Sequence, residues 1–440
     1  MARLEEDEKK RTNLLQSAIK SIERYLTLLE KDGGKSTQEW VAIKRGNQYF
    51  QIARILYKIF SMSKEYNLLT KAIVIIDKAI LTYNEINHFS NLAESYWQKA
   101  KIQDQQKEYL MAANNFDLAS KAFTKASEKL SNLKNYYINH SRYMNAWNRI
   151  VQAKYHHSRE EYAQAAKNYE DAGSLHQELD DWNDLSSNYF AWSKIEQAEE
   201  SSRKEKPQEA IYKFEDANGY FLETENNIKN RITGNLTTEE TDLITEILKS
   251  SVLRQKYCQA RILMEDAKLL DREGNYLDSS KSYEKAVQNF SEIINKIEIE
   301  TDRKELEYIR TLCKAWGKMA SAEERSSSEL YLEAAELFEK AKEYSYTKKA
   351  SLWALGNSNF CRGLAAGINY QTMLDLNEHS KAKRFIKSAA TNYLSAGFKN
   401  ASEYAKGTQR LFDAYIYINK AESEPDQRAR KNLESTRDTN

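Results

Sequence analysis

Residues 153–172 read AKYHHSREEYAQAAKNYEDA, and this stretch decides the fold. From Tyr162 to Ala172, small and aromatic residues are spaced three, four and seven positions apart, which marks one face of a helix. Ala153 lies upstream in a separate helical pattern, with the polar residues SREE between the two. Small residues let two helix backbones approach closely, and the ring of Tyr169 fills the groove beside them. The stretch therefore predicts a helical hairpin with a close contact between its arms.

The same arrangement occurs in five full copies. Each copy has a small residue, a ring nine positions later, and then small, aromatic and small residues after further steps of three, four and three. In one copy Pro207 replaces the first ring, at the first turn of the second helix, where a missing N–H costs little. The full copies are Ala100/Tyr109/Ala112/Phe116/Ala119, Ala153/Tyr162/Ala165/Tyr169/Ala172, Ala198/Pro207/Ala210/Phe214/Ala217, Ala267/Tyr276/Ser279/Tyr283/Ala286 and Ala322/Tyr331/Ala334/Phe338/Ala341.

Three further segments match the second helix of the pattern alone. They are Leu15/Ala18/Ile22/Tyr25, Leu69/Ala72/Ile76/Ala79 and Ile386/Ala389/Tyr393/Ala396. Only 13 Gly and 2 Pro occur in 440 residues, so loops are short and a β structure with its many turns is not expected. The sequence thus predicts an all-α helical repeat protein.

The pattern resembles the tetratricopeptide repeat. It departs from that family in lacking the closing proline and in its spacing, because the second helices begin 40, 53, 45, 69 and 55 residues apart from Leu69 onward. Hairpins of this length are similar to those of the SNAP-type branch, the soluble adaptor proteins of membrane fusion. The run from Tyr169 to Ala198 resembles that branch in its pattern of residues. The resemblance implies a right-handed α-solenoid of antiparallel helix pairs with lengthened helices. It also implies that a partner protein or peptide binds on the concave face.

The repeats predict one array over residues 1–420. The widest gap between copies, from Ala217 to Ala267, predicts an extra helix or a hinge at about 220–255. Residues 421–440 are polar and predict a disordered tail.

Candidate binding residues share a register within the first helices. Six positions before the first small residue of each copy stand Glu94, Trp147, Trp192, Arg261 and Trp316, about 120° around the helix from the close contact, and the last four are the binding candidates. In tetratricopeptide arrays that offset faces the ligand, and Lys154 and His157 lie further along the same wall. Exposed aromatic residues there would anchor a partner. Alternatively, the long neighbouring helices cover the tryptophans, which would then belong to the core.

Composition and motifs argue against several functions. Lys and Arg total 66 against 65 Asp and Glu, a net charge of +1, whereas non-specific nucleic-acid binding needs a basic surface. No two of the six histidines are four residues apart, and no zinc-protease or Cys-x-x-Cys motif is present, so we predict no metal, no cofactor and no enzyme. Three scattered cysteines, the absence of a ~20-residue apolar run and a charged N-terminus predict a soluble cytoplasmic protein.

Three functions remain open from the sequence. The first is a non-catalytic scaffold or adaptor for a partner protein. The second is a sensor domain that binds a small molecule or a signal peptide. The third is a SNAP-like trafficking adaptor that recruits an AAA+ ATPase.

Overall fold

A computed structural model gives the architecture. It describes residues 2–31, 38–179, 182–232, 238–297, 300–345, 347–423, 431 and 434–435. Within these ranges the regular structure consists of α-helices and two short 3₁₀ turns, so the predicted all-α class is confirmed. None of the described helices is long and apolar enough to cross a membrane.

Sixteen α-helices are found in the described part of the chain. They are α1 (Ala2–Lys31), α2 (Gln38–Ser63), α3 (Asn67–Glu85), α4 (Phe89–Gln105), α5 (Tyr109–Lys129), α6 (Lys134–Ser158), α7 (Tyr162–Gln177), α8 (Ser186–Arg203), α9 (Pro207–Ile232), α10 (Thr238–Arg272), α11 (Tyr276–Ile294), α12 (Glu300–Arg325), α13 (Ser328–Tyr344), α14 (Lys348–Met373), α15 (Leu376–Ser395) and α16 (Lys399–Ser423).

The helices form two compact units. The first contains Met1–Glu200 and Gly219–Ser251, and the second contains Ser201–Asn218 and Val252–Asn440. In the first unit α2 packs on α3, α4 on α5, and α6 on both α5 and α7; in the second, each helix from α11 to α16 packs on the next. Each unit is therefore built from helices that contact their neighbours in sequence, as in a repeat protein.

The small residues of the motif form the contacts between helices. Ala153 of α6 and Ala165 of α7 have no exposed surface, and their helices pack together, as the opening stretch predicts. The corresponding alanines Ala100 and Ala112 are also fully buried where α4 packs on α5. The rings at the fourth position of all five copies are at most 5 % exposed. The hairpin interpretation is thus confirmed for these pairs.

Seven turns between consecutive helices have the same backbone geometry. A residue in the left-handed region stands two positions before the next helix, and the following N–H bonds to the carbonyl five residues back at 2.9–3.1 Å. This is the Schellman motif, which satisfies the last carbonyl groups of a helix. The left-handed residues are Asn87, Lys107, Glu160, Glu205, Gly274, Ser326 and Gly397.

The first helix differs from the prediction. The sequence assigns Leu15, Ala18, Ile22 and Tyr25 to a buried stripe, but Tyr25 is 40 % exposed. The side that faces α2 and α3 carries Leu26 instead, with Ile19 and Ile22 beside it. A single stripe of α1 is covered, chiefly by α2, and it is displaced by one residue from the predicted stripe at Ile19 and Leu26.

The long gap between copies is filled by longer helices. Helix α9 has 26 residues and α10 has 35, so in the described part of residues 220–255 the extra length extends these two helices. Helix α16 ends at Ser423. The tail predicted over 421–440 lies almost wholly outside the described residues.

Candidate functional site

The tryptophans of the predicted binding register pack against rings of the preceding copy. Trp147 of α6 stacks on Phe116 of α5, with centroids 5.8 Å apart and planes 20° apart. Trp192 of α8 stacks on Tyr169 of α7 at 5.7 Å and 24°. Such pairs contribute about 0.5–1.5 kcal/mol beyond the area they bury. All three tryptophans of the register are half-buried, so their rings also serve the core.

Trp316 and Arg261, two further residues of this register, make the equivalent contact. Trp316 of α12 lies 6.1 Å from the ring of Tyr283, which belongs to the preceding copy. Arg261 of α10 takes the place of a tryptophan and lies over the ring of Phe214, with its guanidinium carbon 4.9 Å from the ring centroid. These four residues therefore share the role of joining one copy to the next.

Arg261 also belongs to a buried charge cluster. Its Nη2 lies 3.4 Å from Oε1 of Glu265 and 3.3 Å from Oγ of Ser202, and the Nζ of Lys268 donates to the same Glu265 oxygen at 2.8 Å. Burial raises the pKa of Glu265, but the charges of Lys268 and Arg261 outweigh it and hold that pKa below its usual value. Both cations lie on α10 with Glu265, and Ser202 of α8 donates to the same carboxylate oxygen at 2.6 Å, so this hydroxyl joins the buried cluster to the neighbouring helix.

Lys154 and His157, the remaining predicted binding residues, pair with carboxylates of neighbouring first helices. Nζ of Lys154 donates to both carboxylate oxygens of Asp104 in α4, at 2.7 and 2.8 Å. Nδ1 of His157 lies 2.8 and 3.0 Å from the oxygens of Glu196 in α8, a residue that is fully buried. Both side chains therefore link first helices of successive copies.

A different surface of the first unit is open and apolar. A cavity of about 470 Å³ lies between α3, α4 and α5, and we call it the α3–α5 groove. Leu110 and Met111 at the start of α5 are 56 % and 58 % exposed. The lining residues are Ile80, Tyr96, Lys99, Gln103, Leu110, Met111, Asn114, Asn115 and Leu118.

The polar groups at the bottom of the groove bond to one another. Nδ2 of Asn115 donates to Oε1 of Gln103 at 2.7 Å and to the carbonyl of Met111 at 3.0 Å. Nζ of Lys99 donates to Oδ1 of Asp77, on α3, at 2.7 Å. The lysine charge is balanced by that carboxylate, so the groove presents a nearly neutral floor.

The repeat itself does not require an apolar groove. At the position of Met111 the other four full copies carry Gln164, Glu209, Asp278 and Glu333. At the position of Leu118 they carry Asp171, Asp216, Lys285 and Lys340. In the next copy Arg149 occupies the position of Tyr96, and its Nε lies 3.9 Å from Asp171. An ion pair thus stands where the groove has a ring and a leucine.

The sequence interpretation did not identify this surface. It looked for aromatic residues in the first helices, whereas the groove is distinguished by Met111 and Leu118 on the second helix. The signal was available in the alignment of the copies, because apolar residues are unusual at these two positions. An apolar residue at an outward position is informative when its equivalents are charged.

Among the described residues, no three His, Cys, Asp or Glu side chains are grouped so that they could hold a metal ion. The three cysteines are buried free thiols. Burial raises the pKa of Cys313 to about 12, so this thiol is neutral at physiological pH.

A comparison of the sequence with known protein families and with curated proteins finds no match.

Proposed function

We propose that this protein is a non-catalytic scaffold that binds a partner protein through the α3–α5 groove. The observation that carries the proposal is the apolar groove itself, in which Met111 and Leu118 stand at positions that are polar or charged in every other full copy. Exposed Leu110 and Met111 are disfavoured in water, and covering them gains roughly 25 cal/mol per Å² of apolar surface. Clustered apolar residues of this kind are typical of protein-binding sites.

We also propose the finer fold and location that the sequence suggests. The fold would be a right-handed tetratricopeptide-like solenoid of the long-hairpin, SNAP-like kind, and the repeated Schellman turns and buried motif alanines support this assignment. Three buried free thiols support a reducing compartment such as the cytoplasm. A neutral groove and a net charge of +1 favour a protein partner over a nucleic acid.

Peptide display tests the proposal without knowledge of the natural partner. The full chain and the variant Met111→Glu/Leu118→Lys serve as target and counter-target in selection from a random peptide library. The two substitutions introduce residues that other copies carry at these positions, so the fold is expected to tolerate them. We expect enriched apolar sequences that bind the unmodified chain at least tenfold more tightly than the variant.

A matched control distinguishes specific binding in the groove from non-specific binding to any exposed apolar residue. Leu277 occupies the position of Leu110 in a later copy and is similarly exposed, so Leu277→Glu should leave binding of the enriched peptides within twofold. Equal melting temperatures would verify that all proteins are folded. The proposal is wrong if no enriched peptide distinguishes the unmodified chain from the groove variant.

A further inference from the structure

We propose that the occupant of the α3–α5 groove is an amphipathic helix of the partner, which inserts uncharged apolar side chains from successive turns. This inference rests on the proposed function and narrows it to one class of ligand. Three features of the groove carry it: the bonding of its polar groups, the shape of its apolar rim and its charge balance.

The polar groups of the floor favour a helix over an extended segment. The buried amides of Gln103 and Asn115 already bond to each other, and Asn115 also bonds to the carbonyl of Met111. An extended segment pressed into the groove would bury backbone N–H and C=O groups with few partners, and each group left unpaired would weaken binding. A helix satisfies its own backbone and offers only side chains.

The α5 rim of the groove has helical spacing, and two exposed apolar residues of α3 outside the lining have the same spacing. Met111 and Leu118 on α5 are seven residues apart, or about 10.5 Å along the helix. Val74 and Leu81, two exposed residues of α3, have the same separation. Val74 lies three residues before Asp77, and Leu81 lies four residues after it. All three therefore lie on the side of α3 from which Asp77 contacts Lys99. A helix with apolar residues at i, i+3 or i+4, and i+7 would contact Met111 and Leu118 over two turns.

The charge balance of the groove determines which side chains of the partner helix can enter it. Lys99 is held by Asp77, and no other residue that lines the groove carries a charge. A carboxylate or ammonium group inserted here would lose water without gaining an opposite charge. The inserted residues are therefore leucine-like, and binding should change little with salt.

Three synthetic peptides of about 16 residues test the inference by fluorescence anisotropy with the full chain. The first carries leucines at i, i+4, i+7 and i+11 in an Ala/Gln/Lys background. The second has the same composition with its leucines spread around the helix. The third is the first with a central proline, which removes a backbone hydrogen bond and breaks the helix. We expect the first to bind at least tenfold more tightly than the others.

The variants of the chain assign the binding to the groove. Met111→Glu/Leu118→Lys should weaken the first peptide at least tenfold, whereas Leu277→Glu should change its Kd less than twofold. Raising the salt concentration tenfold should also change that Kd less than twofold.

The contrary outcomes distinguish the two proposals. If the proline peptide binds as tightly as the first, the helix is excluded while the groove still functions as a binding site. If neither these peptides nor any displayed peptide separates the chain from Met111→Glu/Leu118→Lys, the proposed function itself fails. Self-association of the chain that disappears in this variant would make a second copy the occupant and overturn the inference.

Discussion

The backbone conformation and the pKa of single residues in this protein depend on the turns and rings that surround them. Glu205 adopts the left-handed backbone conformation with φ of 57°, which costs a residue with a side chain about 1–2 kcal/mol relative to glycine. Gly274 adopts the same conformation at the equivalent turn without that strain. The sequence did not predict these turns, because five of the seven left-handed residues are not glycine.

Opposite substitutions at these two turns should therefore change the free energy of unfolding in opposite directions. Glu205→Gly should raise the free energy of unfolding by about 0.5–1 kcal/mol, because relief of strain exceeds the added flexibility of the unfolded chain. Gly274→Ala should lower it by about 1 kcal/mol through backbone strain alone, since a Cβ there meets no atom within 4 Å. Urea denaturation measures both changes. A decrease for Glu205→Gly would contradict the account.

His176 should make stability depend on pH. Its ring is fully buried, Nδ1 lies 2.9 Å from the carbonyl of Ala172, and burial lowers the pKa to about 4. The unfolded chain, with a histidine pKa near 6.5, binds the proton more readily than the folded one. Stability contributed by the neutral ring is therefore complete above about pH 6.5 and is lost as pH falls towards 4, by roughly 3 kcal/mol.

Melting curves between pH 7.5 and pH 4.5 would measure this loss. His176→Phe keeps a ring beside Tyr143 and Tyr189 but cannot titrate, so its melting temperature should fall less over the same range. An unchanged pH dependence in His176→Phe would show that other groups cause the loss.

At the scale of elements, four first helices each place one register residue against the motif ring of the preceding copy. Trp147, Trp192 and Trp316 each lie against the motif ring of the copy before, and Arg261 does the same with its guanidinium. The sequence predicted the shared register, but it left open whether these side chains face a partner or the core. That choice depends on how closely consecutive hairpins approach, which periodicity within one helix does not specify.

Removal of one such contact should destabilise the protein strongly. Trp147→Ala should cost about 3 kcal/mol, because it leaves a space beside Phe116 and removes the stacked pair. Trp40 is more exposed and is the matched control, since Trp40→Ala should cost less than about 1 kcal/mol. Thermal unfolding of the two variants tests the difference. Similar losses of stability in both would argue against a special role for the register.

For the whole molecule, local sequence determined which segments are helical and which neighbours pair. Small residues such as Ala153 and Ala165 specify close contacts by their size, so the hairpins and the all-α class follow from spacing alone. Tertiary structure decided what those contacts leave uncovered: the exposed side of α1, the internal pairing of Lys154 and the α3–α5 groove. The physical reason is that the spacing of apolar side chains along the sequence defines one face of a helix. Whether that face is buried depends on the helices packed around it.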